Sequence, residues 1–313
     1  MSNINRRKFL NITAMTLALP FCSNSLFANS QKKITWEGIA LGAQSNMTLF
    51  HKDLTYAKDI LNICTKEISR LEKIFSLFDE TSSISQLNEE GYLLNPKKEL
   101  IEILNFAKNI SENTNGAFDI TVQPLWIVHA NFFKNKNQQT IDDLNKKINE
   151  AKKLVSYKNI SINKKEISFK QKGMKITLNG IAQGYITDKI TTILKQKGFT
   201  NVLVDLGEFN SIGGYDENRD WNIATPYLND IEYLKINNSA IASSGGYGTR
   251  FNENYHHLFD TETGTSANYI NSVTIKAPNA TLADALSTAV FVMPEIERKK
   301  LESIYPNIEI YTS

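Results

Sequence analysis

The stretch 53–78 constrains the architecture of this 313-residue chain more than any other. Ala57, Ile60, Leu61, Cys64, Ile68, Leu71 and Phe75 recur largely at steps of three and four, which stacks them on one face of a helix. Asp53 stands where an N-cap belongs, with a carboxylate able to accept the free N–H groups of the first turn. A long helix with one apolar side needs a layer to cover it. The neighbouring segments supply candidates. Residues 34–50 read as extended structure broken at Gly38 and Gly42, a hairpin. A polar turn at 79–83 leads into a short segment over 84–88. Residues 97–115 form a second helix, with Leu100, Ile103, Leu104 and Ala107 on one face and Asn115-Gly116 as its stop.

Further along, 141–156 reads as a third helix and 160–177 as short strands around a turn at Gly173. A fourth helix over 181–196 ends at Lys197-Gly198 and is followed by a buried strand over 201–206. The chain is then mostly β until a helix around Asp284, after which Pro294 introduces a final helix–strand pair. The lysine- and asparagine-rich stretch 131–149 has the composition of an insertion or mobile surface. There is no alternating strand–helix rhythm, so the class is α+β rather than a regular parallel sheet.

The first 28 residues read differently. Asn5-Arg6-Arg7-Lys8-Phe9-Leu10 precedes an uncharged apolar stretch over 12–21 and a small, polar tail ending at Ala28. That order is an export signal, and paired arginines followed by x-Phe-Leu resemble the twin-arginine (Tat) type. The apolar stretch is too short for an ordinary membrane span. The expectation is a periplasmic domain, 29–313, exported by the Tat machinery with residues 1–28 removed. Lipid anchoring through Cys22 is disfavoured, because Phe21 precedes it where such signals want a small residue. Loss of Cys22 leaves Cys64 without a disulfide partner, and its place in the apolar run makes it a small buried hydrophobe. Removing Arg6, Arg7 and Lys8 takes the formal charge from +2 to about −1. A near-neutral domain with scattered lysines gives no electrostatic case for nucleic acid.

Several segments carry chemistry. Asn179-Gly180-Ile-Ala-Gln183-Gly184-Tyr185 lies between a strand expected to end near Leu178 and a helix, an arrangement that presents backbone N–H groups to phosphate or packs a helix tightly on its strand. It is neither a P-loop nor a dinucleotide-binding glycine fingerprint. Gly245-Gly246-Tyr247-Gly248 forms a second glycine loop, followed by the pair His256-His257. In extended chain these two point to opposite faces, so one is structural and the other is available as a base or phosphate partner. Four histidines without helical spacing do not make a zinc site. Phe118 could stack on a flat ring or fill the core, and Asp119 could bind a ligand or its own turn. Thr281-Leu-Ala-Asp284 fits a capping box, while Asp284 and Thr288, four apart on one helical face, present hard oxygens of the kind Mg²⁺ takes.

Taken in order, these segments form a pattern: Gly-Ala-Phe-Asp-Ile-Thr-Val from 116, Leu-Asn-Gly-Ile-Ala-Gln-Gly-Tyr-Ile-Thr-Asp from 178, Leu-Val-Asp-Leu-Gly-Glu from 203, Ala-Ser-Ser-Gly-Gly-Tyr from 242, His-His-Leu-Phe-Asp-Thr-Glu-Thr-Gly from 256, and Ala-Asp-Ala-Leu-Ser-Thr-Ala from 283. From about Gly38 to Met293 the chain resembles the ApbE family, the FAD:protein FMN transferases. The resemblance implies largely antiparallel sheets in a T-fold-related architecture of two intimate lobes. It implies FAD as substrate, Mg²⁺ as cofactor, and transfer of FMN to a threonine or serine hydroxyl of an acceptor flavoprotein, with AMP released. By motif, Asp284 and Thr288 would supply metal oxygens together with the Gly180 carbonyl. Ala117, Phe118 and Asp119 match an FAD-contacting triplet, and Thr177, Gln183 and the Leu258 backbone match other FAD positions. Leu41, Phe78 and Asn88 fall in segments beside the cofactor, and His257 matches a histidine assigned to acceptor activation. Phe78 replaces a frequent tyrosine, Gln183 a lysine, Thr177 an aspartate, Gly207-Glu208 a Gly-Gly pair and Ser266 a proline. The combination resembles a Tat-exported, NosX-like branch acting on a membrane respiratory flavoprotein. An FAD pyrophosphatase using water, or a non-catalytic flavin-binding protein, are the alternatives.

Overall fold

Strands β1 (Lys32–Ala40) and β2 (Ala43–His51) pair antiparallel from Lys32↔His51 to Ala40↔Ala43. Between them, Leu41 and Gly42 both take positive φ, 47° and 82°, the backbone of a tight hairpin turn. Leucine there is strained. The Glu72 carboxylate holds it in place by accepting the Leu41 N–H at 2.6 Å. These coordinates come from a computed structural model that describes residues 31–134, 140–225 and 233–313. The export signal and Cys22 lie outside the described residues.

Glu72 belongs to helix α1 (Leu54–Phe75). Asp53 Oδ1 accepts the N–H groups of Thr55 and Tyr56 at 2.9 and 3.0 Å. The expected apolar stripe is buried along its whole length, Cys64 included. The helix stops at Phe75, three residues short of the expected end, because Ser76 turns extended. Next come α2 (Ser83–Glu90), β3 (Tyr92–Leu94) and α3 (Lys98–Asn113), the last halted by Asn115 and Gly116 at positive φ.

The middle of the chain departs from the sequence reading. Helix α4 (Gln123–Lys134) was not anticipated, since its apolar residues nearly encircle it and leave no clear stripe. Helix α5 (Ile141–Lys152) ends before the expected Ser156. The described parts of 131–149 therefore belong largely to two helices, and 135–139 lie outside the described residues. Strands β4 (Ile160–Ile162) and β5 (Glu166–Phe169) turn at 163–165 and not at Gly173. Asn163 Oδ1 makes that turn by accepting the N–H groups of Lys165 and Glu166.

Helix α6 (Ala182–Gln196) leads into β6 (Val202–Asp205), β7 (Phe209–Ile212), β8 (Trp221–Ala224), β9 (Tyr233–Ile236), β10 (Ala240–Gly245) and β11 (Ser272–Ala277). Helices α7 (Ala280–Val292) and α8 (Glu295–Ile304) precede β12 (Glu309–Thr312). One sheet runs β1-β2-β6-β7-β10-β11-β12, beside a sheet β3-β5-β4 and a pair β8-β9, and every pairing is antiparallel. Helix α7 packs on β10, β11 and α6. All its residues except Leu282 and Thr288 are buried, the signature of a central helix. No helix of the described residues is long and apolar enough to cross a membrane. Replacing Asp53 by alanine is expected to cost about 1 kcal/mol in urea denaturation; an unchanged midpoint would remove the cap from the account of where α1 begins.

Candidate functional site

A polar group inside a helix as buried as α7 requires a partner. Asp284 finds it on α6: its Oδ2 accepts the Gly184 N–H at 3.0 Å. Gly184 is in the first turn of α6, so Asp284 satisfies a helix-start donor of the neighbouring helix and not of its own. The cap of α7 is Asn279, whose side chain accepts the Leu282 N–H at 2.9 Å. The capping-box reading of Thr281 and Asp284 is thus corrected. Thr281 instead donates its N–H and hydroxyl to Asp188 of α6.

The glycines explain the closeness. A Cβ on Gly184 would stand 2.3 Å from the Ala280 carbonyl oxygen and 2.8 Å from Asp284 Cβ. A Cβ on Gly180 would stand 2.6 Å from Thr288 Oγ1. The three residues expected to hold a metal, Gly180, Asp284 and Thr288, are therefore brought together where α6 and α7 touch. No strand precedes this turn: 174–178 is irregular, held straight by Asn88, whose amide accepts the Ile176 N–H at 2.7 Å and donates to the Ile176 carbonyl at 2.8 Å.

The site is acidic. Burial, less the Gly184 N–H, pushes the Asp284 carboxyl up to about 7, and Asp188 adds to the shift. Burial likewise lifts Asp205 to about 7 against the opposing Gly207 N–H. Glu208 is raised well above the usual range, by burial first and then by Asp284 and Asp205. Gln183 lies over this corner, since a Cβ on Gly207 would meet its Nε2 at 2.2 Å.

The paired histidines divide as their alternation requires. His256 is buried, with Nε2 at 2.9 Å from the Ala267 carbonyl and Nδ1 accepting the Leu258 N–H at 3.2 Å. Its ring meets Phe291 of α7 edge-on at 5.6 Å. His257 is half-buried and faces Gly248, with Nδ1 against the Thr249 backbone. Burial pulls it down to about 4, helped by His256 and opposed by the Thr249 carbonyl. At neutral pH it is an uncharged imidazole whose hydrogen bonds are made through Nδ1.

Several of the other expected residues have their side chains committed to the protein. Phe118 is in the main core. Asp119 Oδ1 accepts from the N–H and hydroxyl of Thr121 at 2.8 and 2.6 Å, and its Oδ2 accepts the Tyr157 N–H at 2.8 Å. Ala117 is half-buried beside them, and Thr177 Oγ1 accepts the Asn179 N–H. The Leu258 carbonyl accepts from Ala267. Leu41 sits at the hairpin turn, half-buried, and Phe78 is 79% exposed. Hydrogen bonds nonetheless connect the motifs: Thr177 N–H to the Ile120 carbonyl, Thr261 hydroxyl to the Gly116 carbonyl, and Ser244 to Ser287.

Residues 41–312 match the family model described as the ApbE family. The chain belongs to the ApbE family. Among its relatives is the FAD:protein FMN transferase of Haemophilus influenzae, 26% identical over 307 residues, covering 90% of this chain and 85% of that protein. That of Escherichia coli K12 is 26% identical over 247 residues, covering 74% of this chain and 70% of that protein. The solved apo flavinyl transferase ApbE of Pseudomonas stutzeri shares the fold, with TM-score 0.78 at 19% identity over 92% of this chain and 96% of that one. The ApbE protein of Thermotoga maritima superposes with TM-score 0.74 at 27% identity over 90% of this chain and 94% of that one.

The residues of this ApbE chain fit a divalent cation. The carboxylates of Asp284, Asp205 and Glu208 are offset by backbone N–H groups alone, and the missing Cβ of Gly180 keeps space beside Thr288 Oγ1. Among the described residues no group of three or more His, Cys, Asp or Glu is arranged to hold a metal ion. The expected set needs one carboxylate, one hydroxyl and one carbonyl. Sequence reasoning missed Asp188 and Asn279. The matching four-residue spacing of Gly180, Gly184, Asp188 and Ala280, Asp284, Thr288 was the available signal for Asp188.

Because folded Asp284 and Asp205 hold protons up to about pH 7 and unfolded carboxylates release them near 4, the native state binds more protons between those values. These groups therefore make stability fall as pH rises from about 4 to about 7. In EDTA, Asp284→Asn should flatten part of that decline in melting temperature; an unchanged slope would mean that Asp284 is not the titrating group.

Proposed function

We propose that this ApbE-family chain transfers the FMN moiety of FAD to a threonine or serine hydroxyl of an acceptor flavoprotein, releasing AMP. Relatives spanning most of the chain are named FAD:protein FMN transferases. The observation that carries the reading to this chain is the contact of Gly180 and Gly184 with Thr288 and Asp284. The Asp284 carboxylate, Thr288 hydroxyl and Gly180 carbonyl would hold Mg²⁺. Bound there, the ion supplies charge stabilisation for the pyrophosphate oxygens as the P–O bond breaks.

The chain's own residues do the rest. His257 Nε2 takes the proton of the acceptor hydroxyl as that oxygen bonds to the FMN phosphorus. The pyrophosphate oxygen departs with AMP. An anionic pyrophosphate beside His257 raises its affinity for that proton above the value set by burial. Gln183, a neutral amide, can donate N–H to phosphate without adding charge. Glycines of the 245–248 loop give the two histidine rings room, a Cβ on Gly248 falling 3.0 Å from His257 Cε1. The twin-arginine pattern supports a periplasmic setting, where a membrane-anchored respiratory flavoprotein is a suitable acceptor.

Incubation with FAD, MgCl₂ and an acceptor flavoprotein should leave flavin on the acceptor after denaturation. AMP released without covalent flavin would make the protein an FAD pyrophosphatase, and FAD binding without AMP a carrier. His257→Ala should slow transfer by about 10²-fold or more with FAD affinity nearly unchanged; equal loss of both would assign His257 to binding. Asp284→Ala should abolish Mg²⁺-dependent turnover in a protein that still melts cooperatively, and normal turnover would refute the metal assignment.

A further inference from the structure

Helix α6 and the turn before it meet α7 at three pairs in one antiparallel register. Gly180 meets Thr288 and Gly184 meets Asp284, as described above; the third pair is Asp188 with Ala280, whose N–H donates to Asp188 Oδ1 at 2.8 Å. Gly184 and Asp188 are four apart on one face of α6, Ala280, Asp284 and Thr288 are spaced by four on one face of α7, and Gly180 stands in the turn just before α6. The first two pairs form the site, and the third lies outside it.

Asp188 is saturated. Oδ1 accepts from Ala280 N–H and from the Asn210 side-chain amide at 2.7 Å, and Oδ2 accepts from the Thr281 N–H at 2.8 Å and the Thr281 hydroxyl. Asn279 takes the Leu282 donor, so Asp188 and Asn279 between them satisfy the first three donors of α7. Asn210 stands on β7, which ties the carboxylate to the large sheet as well. A carboxylate bonded from two sides has little freedom to turn. A slip of α7 by one residue would rotate its face by about 100° and carry Asp284 away from Gly184.

We propose that Asp188 is the positioning residue of the cation site, fixing the start of α7 so that Asp284 and Thr288 come to rest opposite Gly184 and Gly180. The proposal rests on the reading of Asp284 and Thr288 as Mg²⁺ ligands. Loss of outer partners of metal ligands commonly weakens metal affinity by about 10–100-fold. A helix cap with no further role would change stability alone.

The test is a MgCl₂ titration of the melting temperature at fixed FAD, on wild type, Asp188→Asn, Thr281→Val, Asp284→Ala and the remote control Asp53→Ala. Asp188→Asn puts an amide donor against backbone or amide donors, and Thr281→Val removes only the hydroxyl. The Mg²⁺ midpoint should rise about tenfold or more in Asp188→Asn and by a smaller factor in Thr281→Val, with the Asp53→Ala midpoint at the wild-type value. KM for FAD at saturating Mg²⁺ should change far less than the Mg²⁺ midpoint. Lowered melting in EDTA with wild-type Mg²⁺ midpoints in both variants would overturn the proposal, and Thr281→Val decides if Asp188→Asn does not fold. If wild type and Asp284→Ala respond alike to Mg²⁺, the metal reading itself fails and the proposal falls with it.

Discussion

The Gly184 N–H bound to the Asp284 carboxylate is the interaction on which the rest of the site depends. Two helices can approach this closely only where one of them lacks side chains; Gly184 provides that gap in α6, and Gly180 does so in the turn before it. The close approach then allows each helix to satisfy the exposed donors of the other: Asp284 serves α6, and Asp188 serves α7. Because α7 is nearly all buried, its position is also set by β10 and β11. Fold and site therefore share one set of contacts.

Electrostatics follows from the same packing. Helix α7 carries Asp284 into the interior, where Glu208 and Asp205 are also confined; burial favours the protonated form of all three, and repulsion from Asp284 and Asp205 adds to it at Glu208. Such an arrangement weakens the metal-free protein at neutral pH and suits it to a cation. His256 and His257 show how packing divides two like residues. One becomes a strut against Phe291, the other an uncharged imidazole beside a glycine loop.

Much of the fold was legible because local periodicity settles it. Asp53 and the apolar stripe of α1 were read correctly, and so were the stop at Asn115-Gly116 and the hairpin turn at Gly42. Helix α4 escaped because apolar residues nearly all the way round a helix leave no stripe to read. The turn at 163–165 escaped because Asn163 makes it with its side chain, while Gly173 is the more conspicuous residue. Thr281 drew attention as a cap, yet Asn279, two residues earlier, performs that role; Thr281 is engaged by Asp188, 93 positions away in the chain.

The sequence by itself determined the family, the α+β class and the residues that bear chemistry, because motif order and spacings of three and four are local properties. Tertiary structure decided which of those residues still have atoms to offer a ligand. Asn88 closes on the Ile176 backbone, 88 positions away, and Asp119 on the Tyr157 N–H, 38 away. Phe118 is spent in the core. Asp284 and His257 keep capacity to spare because the protein gives the first a single backbone donor and the second a backbone partner at only one nitrogen. A polar group's availability depends on which distant donor folding places beside it, and no local pattern encodes that.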